Sequence, residues 1–293
     1  MELDNSRANA FRECPYKYFE MYEAEGTGLE PVPRIDNEYS ALDFGARMHE
    51  LWEEHFKEMK GDPRPPYPES LNGVLESEAQ VVLAAYKAHY PIETFEIVDV
   101  EKTFRVALPN SHHIYIGKID LVHRENGILD ITDHKSQDAS AKSNLPQKWA
   151  ARDQASLYLW AAEQIYKEPV GNFFVDVAIR PSPKGQRGPQ FPERQRLERT
   201  PEQIALAIRD LIWVADQIEA MRERFGNHAP WPANREECYT WYPCPYYLPH
   251  TFGWSPEIRE YKYQPKKEYL QLAGIKVIQP YSELEAACEG REK

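Results

Sequence analysis

Cysteine is scarce in this chain. Cys14, Cys238, Cys244 and Cys288 are four in 293 residues, too few for the disulfide framework that holds small secreted domains together, so reduced thiols are expected. Long apolar runs are missing too; none approaches the roughly 18 consecutive apolar residues of a membrane-spanning helix. The stretch MELDNSRANAFRECPYKY has no basic patch followed by an apolar core and a cleavage site. No secretory leader is therefore read there, and an intracellular (cytoplasmic) protein without membrane partners is expected. Positive charge is not in excess either. A formal net charge of −12 argues against a simple basic coat for nucleic acid, though it leaves room for a locally positive cleft. Lys142, Lys148, Arg152, Arg180, Lys184, Arg187, Arg194, Arg196 and Arg199 make the central stretch more basic than the ends.

What is present is enough for one large domain or two modest ones, since 42% of residues are hydrophobic. The 24 prolines and a mean hydropathy of −0.70 point to loop-rich connections. The N-terminal residues read as a short helix capped at Asn5 or Ser6 and broken at Pro15. Leu42, Met48, Leu51, Trp52 and Phe56 then recur at helical spacing, and a second helix follows in VLESEAQVVLAAYKAHY. From residue 97 the period changes: IVDVEKTFRVAL, HHIYIGKIDLVHRE and GILDITDHK are strands, the last two joined at Asn126-Gly127. PQKWAARDQASLYLWAAEQIYKE is helical, NFFVDVAIRP a strand, and GPQFPERQRLERT a polar edge strand. The helix from Pro201 has Thr200 as its cap and Gln203 three residues on. This order predicts an α/β fold around a small mixed sheet. Residues 1–95 would form an N-terminal helical part, 96–227 the core, and 228–293 a C-terminal segment rich in Pro and Tyr, all in one compact domain.

The strand ILDITDHKSQ holds charge where its apolar residues call for burial, and a buried charge is costly without a partner. A tight type I′ turn at Asn126-Gly127 supplies one, because it sets Asp120 opposite Asp133 with Cβ atoms roughly 4.5–5.5 Å apart. Lys118 falls opposite Lys135 in the same register. Asp133 and Lys135 share a face, while Asp130 and His134 point the other way, which assigns Asp130 to structure or solvent. Facing carboxylates repel unless a proton or cation bridges them, and hard oxygen ligands suit Mg²⁺ or Mn²⁺. A register slip, or a hairpin with solvated acids, would remove that need.

GKIDLV followed by DHKSQ resembles the paired motifs of the PD-(D/E)XK nuclease superfamily, with Asp120, Asp133 and Lys135 matching one for one. The chain is similar in particular to the RecB-like and Cas4-like exonuclease branch. CPYKYF at Cys14, Gly45 with His49, and Gln154 with Tyr158 in QASLY recur in that branch's order. The resemblance implies a restriction-endonuclease-like core with an N-terminal helical layer and a cysteine-bearing C-terminal segment. It implies His49, Asp120, Asp133 and the backbone carbonyl of His134 as ligands of two divalent metals, and Lys135 as the catalytic lysine. Gln154 and Tyr158 would position substrate or Lys135, although ordinary packing also accounts for Tyr158. Glu101 is a more distant candidate behind the ligands.

Relatives in that branch bind a [4Fe–4S] cluster through one early and three late cysteines. Here Cys14, Cys238 and Cys244 fit, while His250 stands at the fourth position and Cys288 lies far along the chain. Three thiolates and an imidazole suit a cluster, a Cys₃His zinc ion or a vestigial site. The function implied is metal-dependent hydrolysis of DNA, as an exonuclease on single strands or ends in recombination, repair, phage replication or CRISPR spacer acquisition. A helicase, recombinase or integrase partner, or an oligomer, would fit such a role. The alternatives are a catalytically silent end-binding or assembly subunit, which the −12 charge favours, and an RNA-processing nuclease. Tyr16, Tyr18, Phe19 and Trp149 are either core residues or stacking platforms for unpaired bases.

Overall fold

The computed structural model describes residues 1–32, 41–63, 65, 73–91, 94–138, 149–181, 187–226, 230–238, 243–266, 270 and 272–280. Cys288, Lys142, Lys148 and Lys184 lie outside the described residues. In chain order the elements are β1 (Glu2–Leu3), α1 (Asn5–Glu13), α2 (Pro15–Tyr22), β2 (Leu29–Pro31), α3 (Ala41–Lys60), α4 (Gly73–His89), β3 (Glu96–Ala107), β4 (Ile114–Glu125), β5 (Ile128–Gln137), α5 (Asp153–Tyr166), β6 (Val170–Ile179), β7 (Gln195–Leu197), α6 (Pro201–Phe225), α7 (Tyr247–Phe252), α8 (Pro256–Lys262) and β8 (Tyr263–Pro265). No helix among the described residues is long and apolar enough to cross a membrane. The chain gathers into two compact units, each built from separated stretches: Met1–Pro33, Arg105–Gly117 and Leu206–Pro280 in the first, and Arg34–Phe104, Lys118–Ala205 and Tyr281–Lys293 in the second.

The second unit contains β5, β6 and β7 of the mixed sheet. Asn126 (φ 51°) and Gly127 (φ 83°) both take the positive φ of a type I′ turn. The register this turn imposes is the one expected, from Glu125 opposite Ile128 to Leu121 opposite Thr132. β5 then pairs in parallel with β6, and β7 closes antiparallel on β6 as the polar edge strand. Gly171 is required by proximity, since a Cβ there would lie 2.5 Å from Ile128 Cγ2 and 2.8 Å from Asp130 Oδ1. Asp130 is structural: buried, it accepts from Asn172 N–H (2.7 Å) and Asn172 Nδ2 (2.8 Å).

Phe44, Met48, Leu51, Trp52 and Phe56 of α3 pack with Leu75, Val82, Leu83 and Tyr86 of α4 and with Leu121 and Ala178 of the sheet. Each such burial is worth about 1.5–3 kcal/mol. Leu42, expected on that apolar face, is 84% exposed. The face begins instead at Phe44, which repeats at i+4, i+7 and i+8; Leu42 lies about 200° around the helix from it, from a turn of 3.6 residues.

In the first unit the helix start is one residue earlier than expected. Asp4 caps α1, its carboxylate accepting from Arg7 N–H at 2.7 Å, because α1 already includes Asn5 and Ser6. Pro15 does more than break that helix. It occupies the first turn of α2, with Cys14 extended between the two helices, where the missing N–H has no helical partner to lose. Tyr18 stacks on Trp231 (5.6 Å), which Phe11 and Phe19 flank. β2 pairs antiparallel with β8.

Candidate active site

The acids of the second unit converge near the β4–β5 end of its sheet. β4 carries Asp120, β5 carries Asp133 and Lys135, β3 carries Glu101, and α3 carries His49. Gly45 is one turn before His49, and a Cβ there would sit 3.3 Å from Ser136 Oγ, so the absence of a side chain lets α3 run close to β5. From this helix His49 Nδ1 reaches Asp120 Oδ2 at 3.5 Å and Glu101 Oε1 at 3.9 Å. One ligand atom from each of His49, Glu101 and Asp120 lies within 4.8 Å of the other two.

Two local features shape the cluster. The His134 backbone N–H donates to Asp120 Oδ2 (2.8 Å), so the carboxylate itself satisfies a strand donor. Glu101 adopts φ 53° inside β3, a left-handed conformation that costs a non-glycine residue about 1–3 kcal/mol. Its carboxylate is nearly buried and pairs with Lys118. Reading the sequence put Glu101 behind the expected ligands; the structure brings its carboxylate within 4.8 Å of the nearest ligand atoms of His49 and Asp120. Nothing in VEKTF announces the kink.

Asp133 is held from two sides. Gln154 Nε2 donates to its Oδ1 (3.0 Å), and Lys135 Nζ lies 2.7 Å from its Oδ2. Lys135 also sits 5.7 Å above the ring of Trp149, on which Arg152 stacks at 4.6 Å. Tyr158 packs its ring against Phe104 and Phe173. The His134 ring turns to the opposite face, as alternation requires, and stacks on Trp52 (4.9 Å) beside Phe56.

Burial governs the electrostatics. It raises the pKa of Asp120, which His49 only partly offsets, and that of Asp133, which Lys135 only partly offsets. Burial would lower the pKa of Lys135 and of His49. For Lys135 the carboxylates of Asp133 and Asp120 outweigh it, and for His49 Asp120 and Glu101 do, so both are raised. Burial drives the His134 pKa well down, keeping its ring neutral. The site thus sets the carboxylates of Glu101, Asp120 and Asp133 beside Lys118, His49 and Lys135, and burial still raises the pKa of both aspartates. Carboxylate oxygens with one imidazole fit a hard divalent cation.

Among the described residues of the basic stretch noted in the sequence, several are paired internally. Arg180 meets Glu78 and Asp138, Arg194 meets the buried Asp176, and Arg199 donates to Ser156 Oγ and the Ala150 carbonyl. Tyr16, Tyr18, Phe19 and Trp149 are all at most 7% exposed, so their rings serve packing rather than stacking on bases.

In the first unit Cys14, Cys244, Tyr16, Tyr246 and Tyr263 share one cluster. Cys238 Sγ is 3.0 Å from His250 Nδ1, Tyr16 lies over the His250 ring at 4.9 Å, and the Asn234 N–H donates to Cys14 Sγ. Burial, and after it the neighbouring Cys14, raise the Cys238 pKa.

The sequence profile of the PD-(D/E)XK nuclease superfamily matches residues 5–247, a span that includes His49, Glu101, Asp120, Asp133, Lys135, Gln154 and Tyr158. Among solved structures, a candidate exonuclease from Eubacterium rectale superposes with a TM-score of 0.49 at 16% identity, over 86% of this chain and 93% of that one. A protein called SSO0001 gives a TM-score of 0.31 at 12% identity, over 64% and 78%. No curated protein matches the chain.

Proposed function

The chain belongs to the PD-(D/E)XK nuclease superfamily, whose members use divalent metals, and we propose that it is a RecB-like or Cas4-like exonuclease hydrolysing DNA at ends or in single strands. The observation that carries this reading is the convergence of His49, Glu101 and Asp120 within 4.8 Å, with Asp133 clamped between Gln154 and Lys135. His49, Glu101, Asp120, Asp133 and the His134 carbonyl would hold Mg²⁺ or Mn²⁺. Such ions, when bound, lower the pKa of water and stabilise charge on a phosphate ester. Lys135 presents its ammonium to the phosphate oxygens and orients the attacking water. Gln154 fixes the Asp133 carboxylate so that its second oxygen stays turned toward Lys135. Tyr158 buttresses the helix that carries Gln154.

The donor set Cys14, Cys238, Cys244 and His250 supports a second metal centre, iron–sulfur ahead of zinc, that would clip α2 to the C-terminal segment. Anaerobic purification followed by absorbance and iron and zinc analysis separates these. The net charge of −12 and the internal pairing of Arg180 and Arg194 favour one other reading, an end-binding assembly subunit.

The test is cleavage of end-labelled single- and double-stranded DNA, and of RNA, with Mg²⁺ or Mn²⁺, beside Lys135→Ala. Metal-dependent DNA products that vanish in the variant are expected, with a ladder giving the polarity. Binding of DNA without cleavage would replace the exonuclease by the assembly subunit, and preferred cleavage of RNA would move the substrate class.

A further inference from the structure

The loop joining β3 to β4 carries two histidines that the candidate active site does not use. It is tightly folded: the Leu108 N–H donates to the His113 carbonyl (2.9 Å), the His113 N–H donates to Ser111 Oγ (3.1 Å), and Asn110 holds φ 51°. The His113 side chain is fully buried and that of His112 is exposed. Asp216 and Glu219, one turn apart on α6, meet both rings. His113 Nε2 lies 2.9 Å from Asp216 Oδ1, His113 Nδ1 lies 3.7 Å from Glu219 Oε1, and His112 Nε2 lies 2.8 Å from Glu219 Oε2. The Met1 nitrogen is 3.0 Å from His113 Nδ1 and 3.3 Å from Glu219 Oε1.

We propose that His112, His113 and Glu219 form a second, structural site for a divalent transition-metal ion such as zinc, oriented by Asp216. One ligand atom from each of the three lies within 4.8 Å of the other two. Ligand atoms on one tetrahedral zinc stand about 3.4 Å apart, given bonds of about 2.0–2.2 Å. The 3.7 Å between His113 Nδ1 and Glu219 Oε1 is already close to that, and the ion would displace the Met1 nitrogen that lies against both atoms. Ion pairing explains each contact separately. What points to a metal is their combination: two imidazoles and a carboxylate converge, while a second carboxylate takes the far nitrogen of the buried ring. A metal-ligating histidine characteristically donates its other N–H to such a carboxylate, which fixes the tautomer and raises ligand basicity. Imidazole ligation favours zinc, cobalt or nickel over magnesium and leaves a fourth position open. The ion would fasten the β3–β4 loop to α6 within the first unit, and it takes no part in phosphodiester chemistry.

Titration of the full chain with cobalt(II) tests this. The expected result is a visible ligand-field band without sulfur-to-metal charge transfer, displaced by zinc, together with a rise in unfolding temperature on adding zinc. His112→Ala, at an exposed position, and Glu219→Gln should abolish this band and the zinc shift. Asp216→Asn should weaken cobalt binding about 10- to 100-fold, a loss that an ordinary surface ion pair would not produce. A Glu101→Gln/Asp120→Asn double variant should keep the band, separating this site from the nuclease site. Cobalt taken by the cysteines would show thiolate charge transfer and would survive in His112→Ala. A spectrum and zinc shift unchanged in His112→Ala and Glu219→Gln, or neither signal in the wild-type chain, would overturn the site and leave an ion-paired clasp.

Discussion

In the proposed active site Gln154 acts through Asp133. Its amide donates to Asp133 Oδ1 at 3.0 Å, leaving Oδ2 to Lys135. Gln154→Ala is expected to lower activity or Mn²⁺ affinity about 10- to 100-fold, the usual loss when a ligand's hydrogen-bond partner is removed. Single-turnover cleavage across a range of Mn²⁺ concentrations checks this; an unchanged metal dependence would place Gln154 outside the site. At this scale Asp120, Asp133 and Lys135 were legible because strand alternation and a tight turn are short-range rules. Glu101 was not, because its place depends on a φ of 53° that only the surrounding packing can hold.

Among elements, α6 illustrates a fully local signal. The Thr200 N–H donates to Gln203 Oε1 (2.9 Å) and the Gln203 N–H returns to Thr200 Oγ1 (3.3 Å). Thr200→Ala should therefore cost about 1 kcal/mol, read as a lower urea midpoint with an unchanged slope. Gly171 on β6 is the opposite case. Its sequence neighbours do not reveal that Ile128 and Asp130 crowd it. Gly171→Ala should cost about 1–3 kcal/mol through overpacking, measured by the same denaturation. The two helices before the sheet were readable from their apolar period, but which turn first meets the core was not: Leu42 faces out and Phe44 in. That choice is set by how α3 is turned against α4.

For the molecule as a whole, pH dependence ties burial to stability. His123 is buried between Phe95 and Phe174, with its Nε2 3.0 Å from Thr132 Oγ1, and burial lowers its pKa to about 4 from 6.5. A depressed histidine favours the folded state above its unfolded value, and that stability is lost as pH falls from 6.5 toward 4. At about 1.4 kcal/mol per unit this is on the order of 3 kcal/mol, so His123→Phe should shift acid unfolding to lower pH. Asp120 and Asp133 have the opposite sign. Their raised values stabilise the fold below the unfolded carboxylate range near 4, and that contribution fades as pH rises through the folded values. A divalent cation competes with those protons. The rise in unfolding temperature on adding Mn²⁺ should therefore be smaller in acid, where these carboxylates are protonated, than at higher pH; a rise independent of pH would speak against them as the ligands. By itself the sequence determined the hairpin register and the capped helix, which follow from periods and turns a few residues long, and the superfamily, whose motifs it carries in order along the chain. Only the tertiary structure decided that Glu101 joins His49 and Asp120, that Arg180 and Arg194 are internally paired, and that His112 and His113 meet Asp216 and Glu219. Those pairings join residues 18 to 107 positions apart, and only the packing of separate elements brings them within bonding distance.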